Sequence, residues 1–260
     1  MKKDFDLITH RFPDSRELRI LPVGDVHYGA IDHNNGEWER FTSWVSEQED
    51  CYLFLLGDLI NNSVKSSVGS VYEDIRPMEQ KRKMVAYLEP IRHKILAIVS
   101  GNHELRSKKE VDDDITYDIA SKLDIEDVYR PNMAFVKINL NKVPGGNRAR
   151  WYQSYTFALT HGSTIRKGET FPYAIDGIDA FVSAHTHGER SSRQAKIVLN
   201  SQRESIEYRP FWNIVTSSWL NYGGYAMRKM YMPYDHARAE HPQMLILDGD
   251  QRKKWITVID

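Results

Sequence analysis

The chain has one cysteine in 260 residues, no excess of charge of either sign and no long apolar run. Cys51, alone within Cys51-Tyr-Leu-Phe-Leu-Leu56, has no partner for an internal disulfide and reads as a small core residue of a reducing compartment. Lys and Arg number 35 against 36 Asp and Glu, so the bulk positive field that drives non-specific nucleic-acid binding is missing, although a local basic rim is still allowed. No stretch approaches the roughly 20 apolar residues of a bilayer span, and the opening Met-Lys-Lys-Asp-Phe-Asp carries acids where a secretion signal would be apolar. A cytoplasmic location with no membrane partner is therefore expected. Repeats and low-complexity tracts are absent, which excludes solenoid and fibrous classes. With 41% apolar and 27% charged residues, a globular chain remains, expected to form a single domain over residues 1–260.

What is present is a succession of short apolar runs that end in glycine and polar residues. Leu18 to Val23 stops at Gly24-Asp25, Tyr52 to Leu56 at Gly57-Asp58, and Ile95 to Val99 before Gly101-Asn102-His103. Between them, Trp38, Phe41, Trp44 and Val45 mark a helix within Asn34 to Asp50, and Pro77 opens a second predicted to reach Ile91. Strand, helix and strand in alternation indicate βαβ units. After a helix at about Asp113 to Leu123, the second half reads as strands: Ala134 to Leu140, Tyr155 to Thr160, Ala180 to Ser183, Ile206 to Val215, Met244 to Leu247 and Trp255 to Ile259. Pro144-Gly145-Gly146-Asn147 reads as a hairpin turn. A mixed two-sheet α/β sandwich fits this order better than a doubly wound parallel sheet.

Open α/β sheets place ligand sites at the carboxyl ends of their strands, and here those ends are almost all metal-ligand types. In order they are Asp25-Val-His27, Gly57-Asp58, Gly101-Asn102-His103-Glu104, Thr160-His161-Gly162 and Ala184-His185-Thr186-His187-Gly188. Pairs at i and i+2 share one face of an extended segment, so Asp25 with His27 and His185 with His187 can each reach one small volume. Glycines beside Asp58, Asn102, His161 and His187 let the backbone turn tightly there. Oxygen and nitrogen donors without thiolate favour Mn, Fe, Zn, Co or Mg over structural zinc or an iron–sulfur cluster. The donors are too many for one tetrahedral ion. Two ions about 3.5–4 Å apart that share a carboxylate use them all, and that is the geometry of two-metal phosphate chemistry. His10, His33, His93, His236 and His241 fall outside the motifs and are read as structural. Asp112-Asp113-Asp114 directly precedes a helical pattern and reads as an N-cap rather than a carboxylate metal site.

The blocks D-x-H, G-D, G-N-H-E, H and H-x-H, in this order from Asp25 to His187, resemble the calcineurin-like metallophosphoesterases. The resemblance implies a four-layer α/β/β/α sandwich of two mixed β-sheets flanked by helices. It also implies that Asp25, His27 and His187 bind one divalent metal, that Asn102, His161 and His185 bind the other, and that Asp58 bridges both. Manganese is the expected metal. His103 would lie beside the phosphate as general acid or transition-state stabiliser without being a ligand. Glu104 itself reads either as a partner that orients a histidine or as a solvent-facing residue. Water activated between the ions would attack phosphorus in line. Two departures matter. Ala184 replaces the usual glycine before the final H-x-H, which fits only if its φ is negative. After Gly57-Asp58 the chain reads Leu-Ile-Asn-Asn-Ser, not the V-D-R-G of Ser/Thr protein phosphatases, so it lacks their phosphate-binding arginine.

Basic residues just after the motifs bear on the substrate, with Arg106, Arg166 and Arg190 as the expected substrate-binding side chains. Glu110, Glu169 and Glu189 interleave with them, so solvated loops are the competing reading. Trp219-Leu-Asn-Tyr-Gly-Gly-Tyr225, continuing to Tyr231 and Tyr234, offers either base-stacking surfaces or a packed loop. This segment and G-N-H-E-L-R are similar to bacterial and bacteriophage members described as phosphoesterases or DNA-repair-type exonucleases. The expected activity is a phosphodiesterase or nuclease acting on nucleic acid or nucleotides. A phosphomonoesterase on a small metabolite is the alternative. A non-catalytic binding subunit is the third reading, set against by a ligand type at every ligand position.

Overall fold

The structure, a computed structural model, describes residues 6–64, 75–143, 150–223, 227, 242–250 and 253–260. Strand β1 (Leu7–Phe12) joins one sheet, and the chain then crosses to the other for β2 (Glu17–Val23). Helix α1 (Asn35–Glu47), β3 (Cys51–Leu55), α2 (Pro77–Leu88) and β4 (Ile95–Val99) follow as βαβ units, with β2, β3 and β4 paired in parallel. Helices α3 (Glu104–Val111) and α4 (Ile115–Lys122) lead to the short edge strand β5 (Tyr129–Arg130). The chain returns to the sheet of β1 with β6 (Met133–Val143), β7 (Arg150–Thr160), α5 (Ile165–Thr170), β8 (Ala180–Ser183), β9 (Arg190–Asn200) and β10 (Ser205–Val215). Finally β11 (Met244–Asp248) and β12 (Ile256–Ile259) extend the sheet of β2, with β11 antiparallel to β2. The result is two mixed six-stranded sheets with flanking helices, as the resemblance implies.

Local chemistry explains the main elements. All five residues of β4 are buried, as expected of a central parallel strand covered on both faces. In α1, Trp38, Phe41, Thr42 and Val45 are buried at helical spacing, and the Asn34 side chain accepts the Glu37 N–H at 3.2 Å to cap the first turn. α2 ends at Leu88, short of the expected Ile91, because Pro90 lacks the N–H that would continue it and the chain tightens into a 3₁₀ segment, Glu89–Lys94. Asp114 caps α4 by accepting the Tyr117 N–H at 3.1 Å and also receives Lys108 and Tyr129, while Asp112 ends α3 in the left-handed conformation with φ 58°. The two sheets meet through one core, where Phe54 of β3 and Phe157 of β7 stand edge to face with centroids 5.2 Å apart.

β1, β5, β9, α3 and α5 are additions to the sequence reading. β9 is largely polar and exposed, and its pairing with β10 defines it. α3 buries only Glu104 and Ser107, so it has no apolar stripe to announce it. The expected turn at Pro144 to Asn147 lies outside the described residues, although β6 and β7 pair antiparallel on either side of it. No helix among the described residues is long and apolar enough to cross a membrane.

One close approach fixes the ends of β3 and β4. Gly57 has φ +81°, and a Cβ there would overlap the backbone nitrogen of Gly101. Gly57→Ala is therefore expected to cost at least about 2 kcal/mol in urea unfolding. Gly168→Ala, in a helix with open space around its Cα, should be neutral or stabilising by up to about 1 kcal/mol. Equal stabilities of the two variants would refute the close-packing argument.

Candidate metal centre

Because β2, β3, β4, β7 and β8 end at one edge of the sandwich, the five strand-end motifs converge there. Their backbones are unusual: Asp25, His27, Asp58, His185 and His187 all have positive φ, between 50° and 72°. Non-glycine residues rarely adopt this conformation, and such strain collects where side-chain direction matters more than backbone comfort. Ala184 is not among the positive-φ residues. Its methyl packs over Gly24, where an added Cβ would stand 2.6 Å away, so the close contact leaves room for a methyl on one side only.

The donors form overlapping groups. Asp25, His27 and His187 could hold one ion and Asp58, His161 and His185 another, while His27, Asp58 and His103 make a third combination. Asp58 Oδ2 lies 3.8 Å from His27 Nε2, 3.2 Å from His161 Nε2 and 3.8 Å from His103 Nε2, so one carboxylate oxygen touches every group. Asp25 Oδ1 faces His27 Nε2 at 3.6 Å and His187 Nε2 at 3.5 Å. His27 and His187 Nε2 approach to 3.3 Å, His185 Nδ1 and His161 Nε2 to 3.2 Å. Asn102 Oδ1 stands 2.9 Å from His161 Nε2, which places it with the second group.

These spacings suit a cation. Two donors each about 2.1 Å from one ion stand roughly 3.0–3.4 Å apart. Asp25 and Asp58 are buried completely, and Asp25 Oδ1 and His27 Nδ1 make no hydrogen bond despite burial. Burial opposes ionisation of both carboxyls, yet the surrounding histidines outweigh it and hold them below the usual carboxylate range. Conversely, Asp58 and Asp25 overcome the burial of His161 and raise it to about 10. Two buried anions thus demand positive charge, which divalent ions would supply in place of the histidine protons.

Around the donors lies a layer of positioning contacts that the sequence reading left out or only touched. Glu104 is buried; its Oε2 accepts the N–H groups of Asp58 at 2.9 Å and Gly101 at 3.0 Å, and its Oε1 that of Ile60 at 3.1 Å. It holds the backbone of the Asp58 loop, where the sequence suggested that it orients a histidine. Burial and the adjacent Asp58 push its carboxyl up to about 7. The Asn61 carbonyl accepts His103 Nδ1–H at 2.6 Å, and Asn62 Nδ2 donates to the His103 carbonyl at 2.7 Å. Asn62 is itself held by Gln80 Oε1, which accepts its N–H at 2.9 Å. The Asn-Asn pair after Gly57-Asp58, visible in sequence only as a departure from V-D-R-G, therefore seats His103. Burial, with His27 and Arg106 alongside, pushes His103 down to about 3.

The three arginines separate. Arg106 Nη1 stands 3.1 Å from His103 Nδ1, Arg190 pairs with Glu169 at 3.4 Å, and Arg166 lies on exposed α5 with no contact to the donors. Trp219 is buried against Trp38 and Phe41, with centroids at 5.1 and 4.8 Å, and its N–H donates to the Asp25 carbonyl at 2.9 Å. It packs and braces the Asp25 loop, so it is no stacking platform. Tyr225, Tyr231 and Tyr234, like His236 and His241, lie outside the described residues. His10 bonds to the Leu96 carbonyl, and His33 bonds to the carbonyl of Val26 between Asp25 and His27; neither belongs to a donor group.

Glu104→Gln tests the loop clamp. One amide oxygen cannot serve three N–H groups from both sides, and the amide N–H₂ would face a donor. The expected cost is about 1–3 kcal/mol in the unfolding of chelated protein, with weaker metal binding. Unchanged stability and metal affinity would show that the clamp is dispensable.

Comparison with known proteins now bears on this geometry. Among solved structures the chain is similar to a metallophosphoesterase from Sphaerobacter thermophilus, at 17% identity over 94% of this chain and 89% of that one, with a TM-score of 0.41. No curated protein matches the sequence. The family profile for calcineurin-like phosphoesterases matches residues 18–189, a segment that contains every donor described above and well over half of the molecule. The chain belongs to the calcineurin-like phosphoesterase family.

Proposed function

We propose that the protein is a two-metal phosphodiesterase that hydrolyses nucleic acid or nucleotides. Family membership and the donor clusters support metal-dependent phosphoester hydrolysis; the diester preference and the nucleotide substrate are our reading. The observation that carries it is the position of Asp58 Oδ2, within 3.8 Å of His27 and 3.2 Å of His161, between two groups of donors. In this reading Asp25, His27 and His187 hold one ion, Asn102, His161 and His185 the other, and Asp58 both. Bound there, divalent ions such as Mn²⁺ would supply positive charge to the phosphate oxygens and acidify water.

The chain's own residues complete the chemistry. His103 turns Nε2 towards Asp58, and because the Asn61 carbonyl occupies Nδ1–H, Nε2 carries a proton only in the imidazolium form. An anionic phosphate beside it favours that form, from which Nε2–H is passed to the leaving alkoxide. Arg106, without a carboxylate partner among the described residues, is placed to bind a phosphate oxygen. Arg190, neutralised by Glu169, adds little charge. Arg166 is left as a residue that a long substrate would reach.

Three measurements test the proposal. Hydrolysis of a generic phosphodiester and the matching monoester with Mn²⁺, each with and without chelator, should show chelator-sensitive cleavage that favours the diester; cleavage of the monoester alone would reverse the assignment. Asp58→Asn should lose bound metal and turnover together, as read by elemental analysis and rate, and full occupancy with normal turnover would refute the bridging role. His103→Ala should keep its metal and slow turnover by roughly 10²–10⁴-fold. Loss of an ion in that variant would make His103 a ligand, as its distance to Asp58 also permits.

A further inference from the structure

A cleft of about 460 Å³ opens at the opposite end of β8 from His185, and none of its lining residues belongs to the donor groups. Residues 176–179, which lead into β8, form one wall. The other is β10, whose residues 205–211 pair with β9 on one side only, because β8 reaches no further than Trp212. Lys254 and Trp255 close the end. The volume lies within the roughly 300–1,000 Å³ of small-ligand sites. Asp179 in the cleft and His185 among the donors are joined by β8, at about 3.3 Å per residue a span of roughly 20 Å.

The lining combines positive charge with open aromatic faces. Arg209 pairs with Glu207 at 3.2 Å, and within the lining Arg193, Lys196, Arg209 and Lys254 meet two carboxylates, Asp176 and Asp179. Both are already engaged: Asp179 binds Lys254 at 2.8 Å and accepts the Thr156 N–H at 2.7 Å, and Asp176 pairs with Arg209 at 3.2 Å. Arg193 and Lys196 have no carboxylate partner among the described residues; Lys196 donates to the Ile175 carbonyl. The Arg193 guanidinium lies over the Trp255 ring, 4.3 Å from its centroid. Trp255 is 43% exposed, and Tyr208 at the rim is 72% exposed with no aromatic neighbour among the described residues. An isolated inorganic anion would use the charges and leave the rings bare, whereas an apolar ligand would leave the charges uncompensated.

We propose that this cleft is a second binding site, for a nucleotide unit whose base stacks on Tyr208 or on the Arg193–Trp255 pair and whose phosphate meets Arg193 and Lys196. The same chemistry comes from a free nucleotide or from one residue of a single strand. The site does not depend on the activity assigned to the metal centre, since it is read by binding.

The test titrates intact protein, in chelator so that nothing is cut, with a labelled single-stranded oligonucleotide of about ten nucleotides and with adenosine monophosphate as competitor. Trp255→Ala and Arg193→Glu should each raise the oligonucleotide Kd roughly five- to a hundred-fold. With metal restored, turnover of a small chromogenic diester should stay within about two-fold. Competition by the mononucleotide would identify a free-nucleotide site, and its failure, with the variants still weakened, a strand site. Should Trp255→Ala fold poorly, Arg193→Glu, which alters a surface guanidinium, decides alone. Unchanged affinity in a folded variant, or no binding of either probe by the unaltered protein, would overturn the proposal.

Discussion

Two carboxylates, Asp25 and Asp58, must keep their charge where no water reaches them, and much of the architecture answers that requirement. Each stands at the end of a strand buried among apolar side chains, where an ionised group is costly unless opposite charge and hydrogen bonds surround it. The nearby histidines come from both sheets, so the charges are compensated only when the sandwich is closed. Backbone donors add to that compensation, since the His185 N–H reaches Asp25 Oδ2 and the His103 N–H reaches Asp58 Oδ1, each at 2.7 Å. The site and the fold are thus mutually dependent, because the same contacts join the sheets and orient the donors.

The backbone absorbs the cost. Positive φ at Asp25, His27, Asp58, His185 and His187 turns the side chains of consecutive motifs inward from strands that would otherwise carry them past one another. Such conformations persist only where the surroundings over-determine them. Glu104 does so for the Asp58 loop, Trp219 for the Asp25 loop, and Asn61 with Asn62 for His103. These four residues touch the donors' backbone or a ring nitrogen, and their placement explains why polar and aromatic side chains are buried so close to the centre.

Much of this was legible in the sequence, for a physical reason. Buried parallel strands read as continuous apolar runs, so β2, β3, β4 and β8 stood out together with the polar residues that end them. The convergence of Asp25, His27, Asp58, Asn102, His161, His185 and His187 followed from one rule about where parallel strands point. What escaped is what periodicity does not encode. β9 is an exposed polar strand specified by its partner, and α3 is a helix without an apolar stripe. Asn61 acts through its carbonyl, which any residue type possesses, so its identity carried no signal. Nearness along the chain to the motifs points to Arg166 and Arg190, but folding sends Arg190 to Glu169 and leaves Arg166 on an outer helix.

The path of the chain between the sheets has a consequence of its own. β1 lies in the second sheet, β2 to β5 in the first, β6 to β10 in the second, and β11 and β12 again in the first. Neither sheet is a contiguous piece of sequence, and β1 must wait for β6 and β2 for β11 before either edge is paired. Contacts between such distant segments form late and slowly, because the entropy of closing long loops comes before the reward of packing. During synthesis, Asp25 and Asp58 emerge well ahead of His161, His185 and His187. Asp25, His27 and Asp58 therefore await the histidines of later strands, and the full donor set comes together only once the second sheet has formed.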